Sequence, residues 1–273
     1  MKFSSKKIHS FGKIFGGKNR YARKMIKVLP DVSNHRQYIE PFCGGAGILM
    51  NKVRSETEVI SDIDINIFRV LRTLRDNGPK LKQYLNDNYF NYTLENFVTA
   101  QQKIGHKNEV THSAAYIAAN RMSRTGLMKS FATSDRLRGG QMGDKNAWEN
   151  YIQYEIDYTA SRLQGVSILN TDAFTVLKKF ATCDDTLVYL DPPYLHSTRV
   201  SKKAYLHEFA SEDHERLLKL IKTLPAKIFI SGYNSDLYQD YLKGWKIYKF
   251  NQPSDSGMTK VKTRRVEYLW ESQ

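Results

Sequence analysis

Two textures of hydrophobic and polar positions share this chain. Short apolar runs of strand length recur at Tyr38-Ile39-Glu40-Pro41-Phe42, Glu58-Val59-Ile60-Ser61, Val166-Ser167-Ile168-Leu169, Leu187-Val188-Tyr189-Leu190 and Lys227-Ile228-Phe229-Ile230-Ser231. Between them, apolar residues return at helical spacing. Ile65 to Arg75 carries Ile67, Phe68, Val70, Leu71 and Leu74 on one stripe and is expected to close at Asn77-Gly78-Pro79. Tyr21 to Leu29 is a further helix, stopped by Pro30, and Ala173 to Phe180 and Leu237 to Leu242 are two more. Ser211 to Thr223 is amphipathic, with Ser211 as its expected N-cap and Glu212 and Asp213 in its first turn. Trp245 to Phe250 and Val266 to Trp270 read as a closing β-ribbon. Strand and helix alternating in this way predict an α/β fold with a doubly wound sheet, whose ligands bind at the C-terminal ends of the strands.

From about Lys80 to Arg162 the strand pattern stops, and the sequence turns helical, polar and rich in tyrosine. The expected organisation is a core domain over 1–79 and 163–273, with a mostly helical insert over 80–162. Within the insert, Ser113 to Arg121 is an alanine-rich helix. Arg121 to Lys129 and Asp135 to Gln141 then alternate basic, small and glycine residues, as a loop or hairpin facing phosphates does, with arginines free to fork onto a guanine edge. Between Asn120 and Lys145 stand six basic residues (Arg121, Arg124, Lys129, Arg136, Arg138 and Lys145) against two acidic ones, Asp135 and Asp144.

The strand ends concentrate chemistry. Thr186 to Leu190 runs into Asp191-Pro192-Pro193-Tyr194, where two residues without N–H groups force the chain out of the sheet in an extended turn. That turn offers a carboxylate, prolyl carbonyls and the face of Tyr194, a rim suited to a planar group bearing an amine. The first run leads into Cys43-Gly44-Gly45-Ala46-Gly47 and then Ile48-Leu49-Met50, expected to be helical. A glycine turn alone serves tight packing as readily as a ligand. The next run, however, ends in Asp62, at the spacing of an acid that accepts hydrogen bonds from ribose hydroxyls, and the two together point to a nucleoside-containing cofactor. Asp172 and Ser231 end two further runs, so five tips are expected to share one crevice.

Composition narrows the partner. The 273 residues carry a formal charge of +14 and a pI near 9.6, and the first thirty hold nine Lys or Arg and no acid. Such a balance favours a polyanion, nucleic acid or an anionic membrane surface. No run of about 18 apolar residues and no N-terminal apolar stretch occur, so a cytoplasmic protein without a membrane span is expected. Two cysteines and seven histidines without metal spacing make neither a disulfide framework nor a metal site.

Phe42-Cys43-Gly44-Gly45-Ala46-Gly47 resembles the F-x-G-x-G cofactor motif, and Asp191-Pro192-Pro193-Tyr194 the D-P-P-Y motif, of S-adenosylmethionine-dependent DNA adenine-N6 methyltransferases. Phe15-Gly16-Gly17-Lys18 ahead of both, with the long insert between the Asp62 and Asp172 strands, matches the motif order of the group that includes the bacterial Dam enzymes. The resemblance implies a Rossmann-like class I methyltransferase sheet, with the insert as target-recognition domain. It implies that Lys18, Phe42, Gly44, Gly45, Gly47, Asp62 and Asp172 surround S-adenosylmethionine. Asp191, Pro192, Pro193 and Tyr194 become the catalytic set, and Lys13, Asn120, Arg121, Arg124, Lys129, Arg136 and Arg138 the DNA-facing set. Dam enzymes carry tryptophan four residues before the Lys18 position, where this chain has Ile14.

The chemistry implied is direct transfer to the amine of an adenine flipped out of double-stranded DNA, by a protein expected to be monomeric, in a bacterial cell or a phage-infected host. No Pro-Cys pair exists for a covalent cytosine route, and Asp191 stands where protein-glutamine methylases have asparagine. Methylation of RNA adenine, and a non-catalytic DNA-binding protein on the same fold, are the alternative readings. A nicotinamide enzyme is excluded by the lack of G-x-G-x-x-G after the first strand.

Overall fold

The computed structural model describes residues 10–13, 22–31, 34–133, 143–195, 209–251 and 266–273. Seven strands form one mixed sheet: β1 Gln37–Glu40, β2 Thr57–Ser61, β3 Ser167–Leu169, β4 Thr186–Leu190, β5 Lys227–Gly232, β6 Lys246–Asn251 and β7 Val266–Glu271. The chain divides into two compact units, one of Met1–Arg20, Gly44–Lys52 and Asp64–Asn170, the other of Tyr21–Cys43, Val53–Ile63 and Thr171–Gln273.

The second unit contains six of the strands, in the order β2-β1-β4-β5-β7-β6. Strands β2, β1, β4 and β5 are parallel, with Ile39 opposite both Val59 and Val188, and Leu190 opposite Ile230. All five residues of β4 are buried, as a central parallel strand covered on both faces requires. The order reverses between β1 and β4, which makes the sheet doubly wound and puts the ends of β1, β2, β4 and β5 on one rim. The predicted ribbon is present, and its last strand lies inward: β7 pairs with β5 and leaves β6 at the edge. Burial explains the choice, because β7 buries Glu267, Leu269 and Trp270 whereas β6 buries only Phe250. A lysine-bearing edge strand also resists pairing with other chains. Helices α7 Ala173–Phe180, α8 Ser211–Ile221 and α9 Asp236–Tyr241 accompany this sheet. The N-cap of α8 is Ala210 rather than Ser211, and the Asp213 carboxylate accepts the Ala210 N–H at 3.2 Å.

The first unit is helical: α2 Ile65–Tyr89, α3 Leu94–Lys103, α4 Glu109–Met122, α5 Asp144–Asn150 and α6 Ile156–Leu163. Its centre is α4, buried continuously from His112 to Asn120, which is why that stretch is alanine-rich and lacks a polar stripe. The expected stop at Asn77-Gly78-Pro79 is a kink instead. Asn77 leaves helical geometry (φ −135°, ψ 28°), and Pro79 falls in the first turn of the second half, where a missing N–H costs nothing. Gly78 is required by packing, since a Cβ there would stand 2.7 Å from that of Ala160 on α6. A π-helical turn, Tyr151–Glu155, joins α5 to α6, and the Trp148 indole donates to the Tyr89 carbonyl at the end of α2 (2.9 Å). The helical texture thus begins well before residue 80. Helix α1, Ala22–Ile26, is shorter than the stretch expected from Tyr21 to Leu29.

His112 accepts the Gly105 N–H on Nδ1 at 2.9 Å, a bond that needs the neutral ring, and burial pushes its pKa down to about 4, with the Arg69 charge adding to the effect. A histidine whose folded pKa lies below its unfolded value stabilises the fold above the unfolded pKa and loses that contribution as pH falls toward the folded one. Stability of the wild type is therefore expected to decline between about pH 6.5 and 4, by at most ~1.4 kcal/mol per pH unit from this one proton. Urea melts of His112→Gln across that range should show a flatter dependence than wild type.

Candidate active site

In the second unit β4 ends in the predicted Asp191-Pro192-Pro193-Tyr194 turn. Asp191 is half-buried, and its carboxylate accepts the Ser231 hydroxyl at 2.9 Å. Ser231 is fully buried on β5; its Oγ also lies 3.2 Å from the Leu190 carbonyl, and the Tyr189 hydroxyl donates to it at 3.4 Å. Pro192 is buried and Pro193 half-buried. Tyr194 is 8% exposed, packs its ring 4.5 Å from that of Tyr233 and donates its hydroxyl to Glu267 at 2.6 Å. Sequence reasoning missed Glu267 and Tyr233. It also missed a cavity of about 510 Å³ beside Leu195 and Asn234, walled by Glu212, Glu215 and Asp236, an acidic recess that does not suit phosphate.

On the same rim, the Ser61 hydroxyl donates to the Thr171 carbonyl at 2.7 Å and accepts the Thr171 N–H at 3.2 Å. These bonds tie the loop carrying Asp62 to the loop carrying Asp172. Asp172 is exposed and caps α7, its two carboxylate oxygens accepting the Thr175 N–H (3.0 Å) and hydroxyl (2.6 Å). Partial burial works to raise its pKa, but these bonds outweigh burial and hold the carboxyl below its usual range. Phe42 stands edge-on to Phe209 at 5.5 Å, and Phe209 stacks on Phe174 at 6.1 Å, a row of rings that the sequence did not disclose. Burial, with Asp62 and Glu40 adding negative charge, pushes the Cys43 thiol well above its usual pKa, so it is no nucleophile. Two carboxylates and an aromatic ring suit hydroxyls, an amine and a positive charge. They fit a nucleoside bearing a cation better than one bearing phosphates.

The first unit holds the other predicted residues. Gly44 lies at φ 46° and Ala46 at φ 53°, where glycine is favoured. The Met50 N–H bonds the Ala46 carbonyl at 2.8 Å, but residues 44–50 are turns and no helix forms over Ile48 to Met50. The Ser10 hydroxyl reaches the Gly45 carbonyl at 3.2 Å, and the Asn51 amide the Gly47 carbonyl at 2.8 Å.

Asn120 and Arg121, both expected to face DNA, make bonds within the protein. Asn120 is 1% exposed; its amide oxygen accepts the Lys13 N–H at 2.6 Å and its NH₂ donates to the carbonyls of Lys13 (3.1 Å) and Gly126 (2.9 Å). The Arg121 guanidinium donates to the Ser10 and Phe11 carbonyls (2.7 and 2.8 Å) and lies 3.5 Å over the Tyr151 ring. Both are staples between the segment 10–13 and the end of α4. Lys13 is half-buried, with its ammonium on the Ser123 carbonyl and Asp144. Glycine is obligatory at 126, where φ is +78° and a Cβ would meet the Lys13 carbonyl oxygen at 1.7 Å. Beyond this anchor the chain turns back, with Ser123 bridging Phe131 and the Arg124 N–H bonding the Ser130 carbonyl at 3.0 Å. Arg124 and Lys129 are exposed on the resulting hairpin. Ile14, Lys18, Arg136 and Arg138, and the basic residues of the loop from Lys260 to Arg265, lie outside the described residues.

A parallel rim with a D-P-P-Y turn and acids at its strand and helix ends, in a chain that also carries a basic hairpin, is consistent with a nucleic-acid-modifying transferase. The family model for D12 class N6 adenine-specific DNA methyltransferase matches residues 15–255, and the chain belongs to that family. It is similar to Type II methyltransferase M1.LlaDCHI of Lactococcus lactis subsp. cremoris, at 24% identity over 92% of this chain and 90% of the relative. It is also similar to Type II methyltransferase M.MjaIII of Methanocaldococcus jannaschii, at 25% identity over 89% and 90%. Among solved structures, the rRNA methyltransferase AviRa of Streptomyces viridochromogenes aligns with 91% of this chain and 81% of its own, at 12% identity and a TM-score of 0.37.

Asn120→Ala removes three hydrogen bonds that join Lys13 and Gly126 to the end of α4. It is expected to cost about 3 kcal/mol in a denaturant melt, while any folded fraction keeps the wild-type target sequence. A shifted target without loss of stability would instead make Asn120 a base contact.

Proposed function

We propose that this adenine-specific DNA methyltransferase transfers the methyl group of S-adenosylmethionine to the N6 amine of an adenine flipped out of double-stranded DNA, at a defined sequence. The observation that carries this reading is the Asp191–Ser231 bond, which aims a carboxylate at the tip of the central strand. Asp62 accepts from the ribose hydroxyls, Asp172 from the adenine amine of the cofactor, and Phe42, Gly44, Gly45, Gly47 and Lys18 complete its surroundings. When bound, S-adenosylmethionine supplies a methyl group on a sulfonium sulfur, open to in-line displacement.

The residues of the chain do the rest. The exocyclic amine of adenine is a poor nucleophile because its lone pair is delocalised into the ring. Asp191 and the Pro192 carbonyl accept its two hydrogens, draw the nitrogen toward tetrahedral geometry and free the lone pair. That pair forms the new N–C bond, the C–S pair stays on sulfur, and one amine proton leaves through Asp191. Pro193 stiffens the turn and Tyr194 holds the base. The contribution is orientation and electrostatics, with no covalent enzyme intermediate. Unstacking the target costs a few kcal/mol, offset by stacking and phosphate contacts.

The mostly helical insert over 80–162 serves as target-recognition domain. Arg124 and Lys129 contact DNA from the hairpin, joined by Arg136 and Arg138, while Lys13, Asn120 and Arg121 support it from behind. The names of its relatives favour a Type II modification enzyme, and we take it to work as a monomer in the cytoplasm beside the DNA. No helix among the described residues is long and apolar enough to cross a membrane, and no group of His, Cys, Asp or Glu there is arranged to hold a metal.

Asp191→Ala is expected to abolish methyl transfer to unmethylated genomic DNA while leaving DNA binding intact in a mobility-shift assay; retained transfer would overturn the mechanism. Mapping N6-methyladenine after the same incubation should give one recurrent sequence. Arg124→Ala and Lys129→Ala separate two kinds of contact. Loss of a phosphate contact weakens all sites alike and lowers the salt slope by about one, whereas loss of a base contact relaxes one position of the site by about 1–3 kcal/mol. Wild-type binding and site preference in both variants would remove the hairpin from the interface.

A further inference from the structure

We propose that Glu267 is a positioning residue for methyl transfer: through the Tyr194 hydroxyl it fixes that ring and makes it electron-rich against the positive charge that develops on the adenine amine. The inference rests on the proposed contact between Tyr194 and the target base.

Glu267 is 1% exposed and its carboxylate accepts the Tyr194 hydroxyl at 2.6 Å. That is the length of a charge-assisted O–H···O⁻ bond, stronger than a neutral one. Its place in the sheet is specific. On β7, Tyr268 pairs with Gly232 and Leu269 with Ser231, so Glu267 lies across from the chain just past Gly232. There Tyr233 packs against Tyr194, and two residues earlier Ser231 holds Asp191. Both ends of the four-residue turn are thus gripped by side chains from neighbouring strands, the carboxylate end by β5 and the aromatic end by β7.

Packing alone does not require an acid here. Glu267 shares the buried phase of β7 with Leu269, a phase that an apolar residue fills at lower desolvation cost. What the carboxylate adds is charge. An aromatic face is already the negative pole of the ring quadrupole, and a phenol bonded to a carboxylate carries additional electron density into its ring. As the amine nitrogen shares its lone pair with the incoming methyl group it becomes positive, so a ring held and polarised by Glu267 stabilises the transition state more than the bound base. The expected signature lies in turnover, with little change in affinity.

The test uses the full chain with unmethylated genomic DNA, and expresses turnover per active site titrated by the burst of methyl transfer. Glu267→Gln is expected to lower turnover about tenfold to a hundredfold, the range for removing a group that orients a contacting residue. Its KM for DNA, and its S-adenosylmethionine affinity by calorimetry, should stay within about twofold. Tyr194→Phe, which keeps the ring and deletes the bond, should lose a similar amount, and the double variant should be no worse than the poorer single one. Wild-type turnover in E267Q, or losses that multiply in the double variant, would overturn the inference. If E267Q melts too low to assay, Tyr194→Phe decides it: wild-type turnover there overturns the role and a selective turnover loss supports it. Asp191→Ala separates this inference from the reading beneath it. An inactive D191A with a fully active E267Q removes only the role of Glu267, whereas an active D191A removes the reading of the turn itself.

Discussion

Two successive residues without N–H groups, Pro192 and Pro193, mean that the backbone ladder cannot hold the end of β4. Support for the turn must come from side chains, and those side chains need strands to stand on. The order β4-β5-β7 supplies them. Ser231 on β5 donates to Asp191 at one end of the turn, and Glu267 on β7 accepts from Tyr194 at the other. This demand gives the inward position of β7 a functional meaning beyond burial. With the lysine-bearing β6 next to β5, Glu267 would have no place beside Tyr233. The buried polar groups beneath the rim follow the same logic, since Tyr189 bonds Ser231, and Tyr38 donates to the buried Glu40 at 2.9 Å, each satisfying a group the sheet would otherwise strand.

Charge is divided by task. On the rim of the second unit, Asp62, Asp172 and Asp191 are acceptors at three strand or helix ends, a set suited to hydroxyls, amines and a sulfonium rather than to phosphate. The buried Cys43 thiol stays neutral beside Asp62 and Glu40, so it is no nucleophile. In the first unit the cations are sorted by burial. Arg121 is spent on the Ser10 and Phe11 carbonyls, whereas Arg124 and Lys129 stand in water. Two of the five Arg121 donors are thus held by backbone carbonyls.

The parallel strands and their tips were legible in the sequence because burial on both faces gives continuous apolar runs, and because Asp-Pro-Pro-Tyr and the glycine motif interrupt them with residues of special backbone chemistry. The neighbour of β5 was not legible, since pairing order depends on which ribbon strand is more apolar in three dimensions. Glu267 left one trace, a charged residue in the buried phase of an alternating strand, and a search for broken alternation finds it. Pro79 misled because proline is forbidden inside a helix yet welcome in its first turn, and only the kink at Asn77 decides which applies. The inward bonds of Asn120 and Arg121 were not legible for another reason. They sit at the start of a basic stretch, and composition does not separate a side chain turned inward from one turned out.

The inward bonds of Asn120 also fix the shape of the hairpin. A loop of arginine, lysine, serine and glycine free in solution would lose much of its binding energy to ordering. Here the ordering is done in advance: Asn120 ties Gly126 to Lys13, Gln101 holds the Met128 carbonyl at 2.7 Å, and Phe131 packs against Tyr92 and Phe97. Arg124 and Lys129 therefore leave a fixed base, and exchanging either exposed side chain leaves these supporting bonds in place. Relatives at 24 and 25% identity that share nine-tenths of their length with this chain have room for such exchange. A rigid root with exposed tips confines such exchange to the surface, and the buried Asn120 holds that root in place whichever residues stand at the tips.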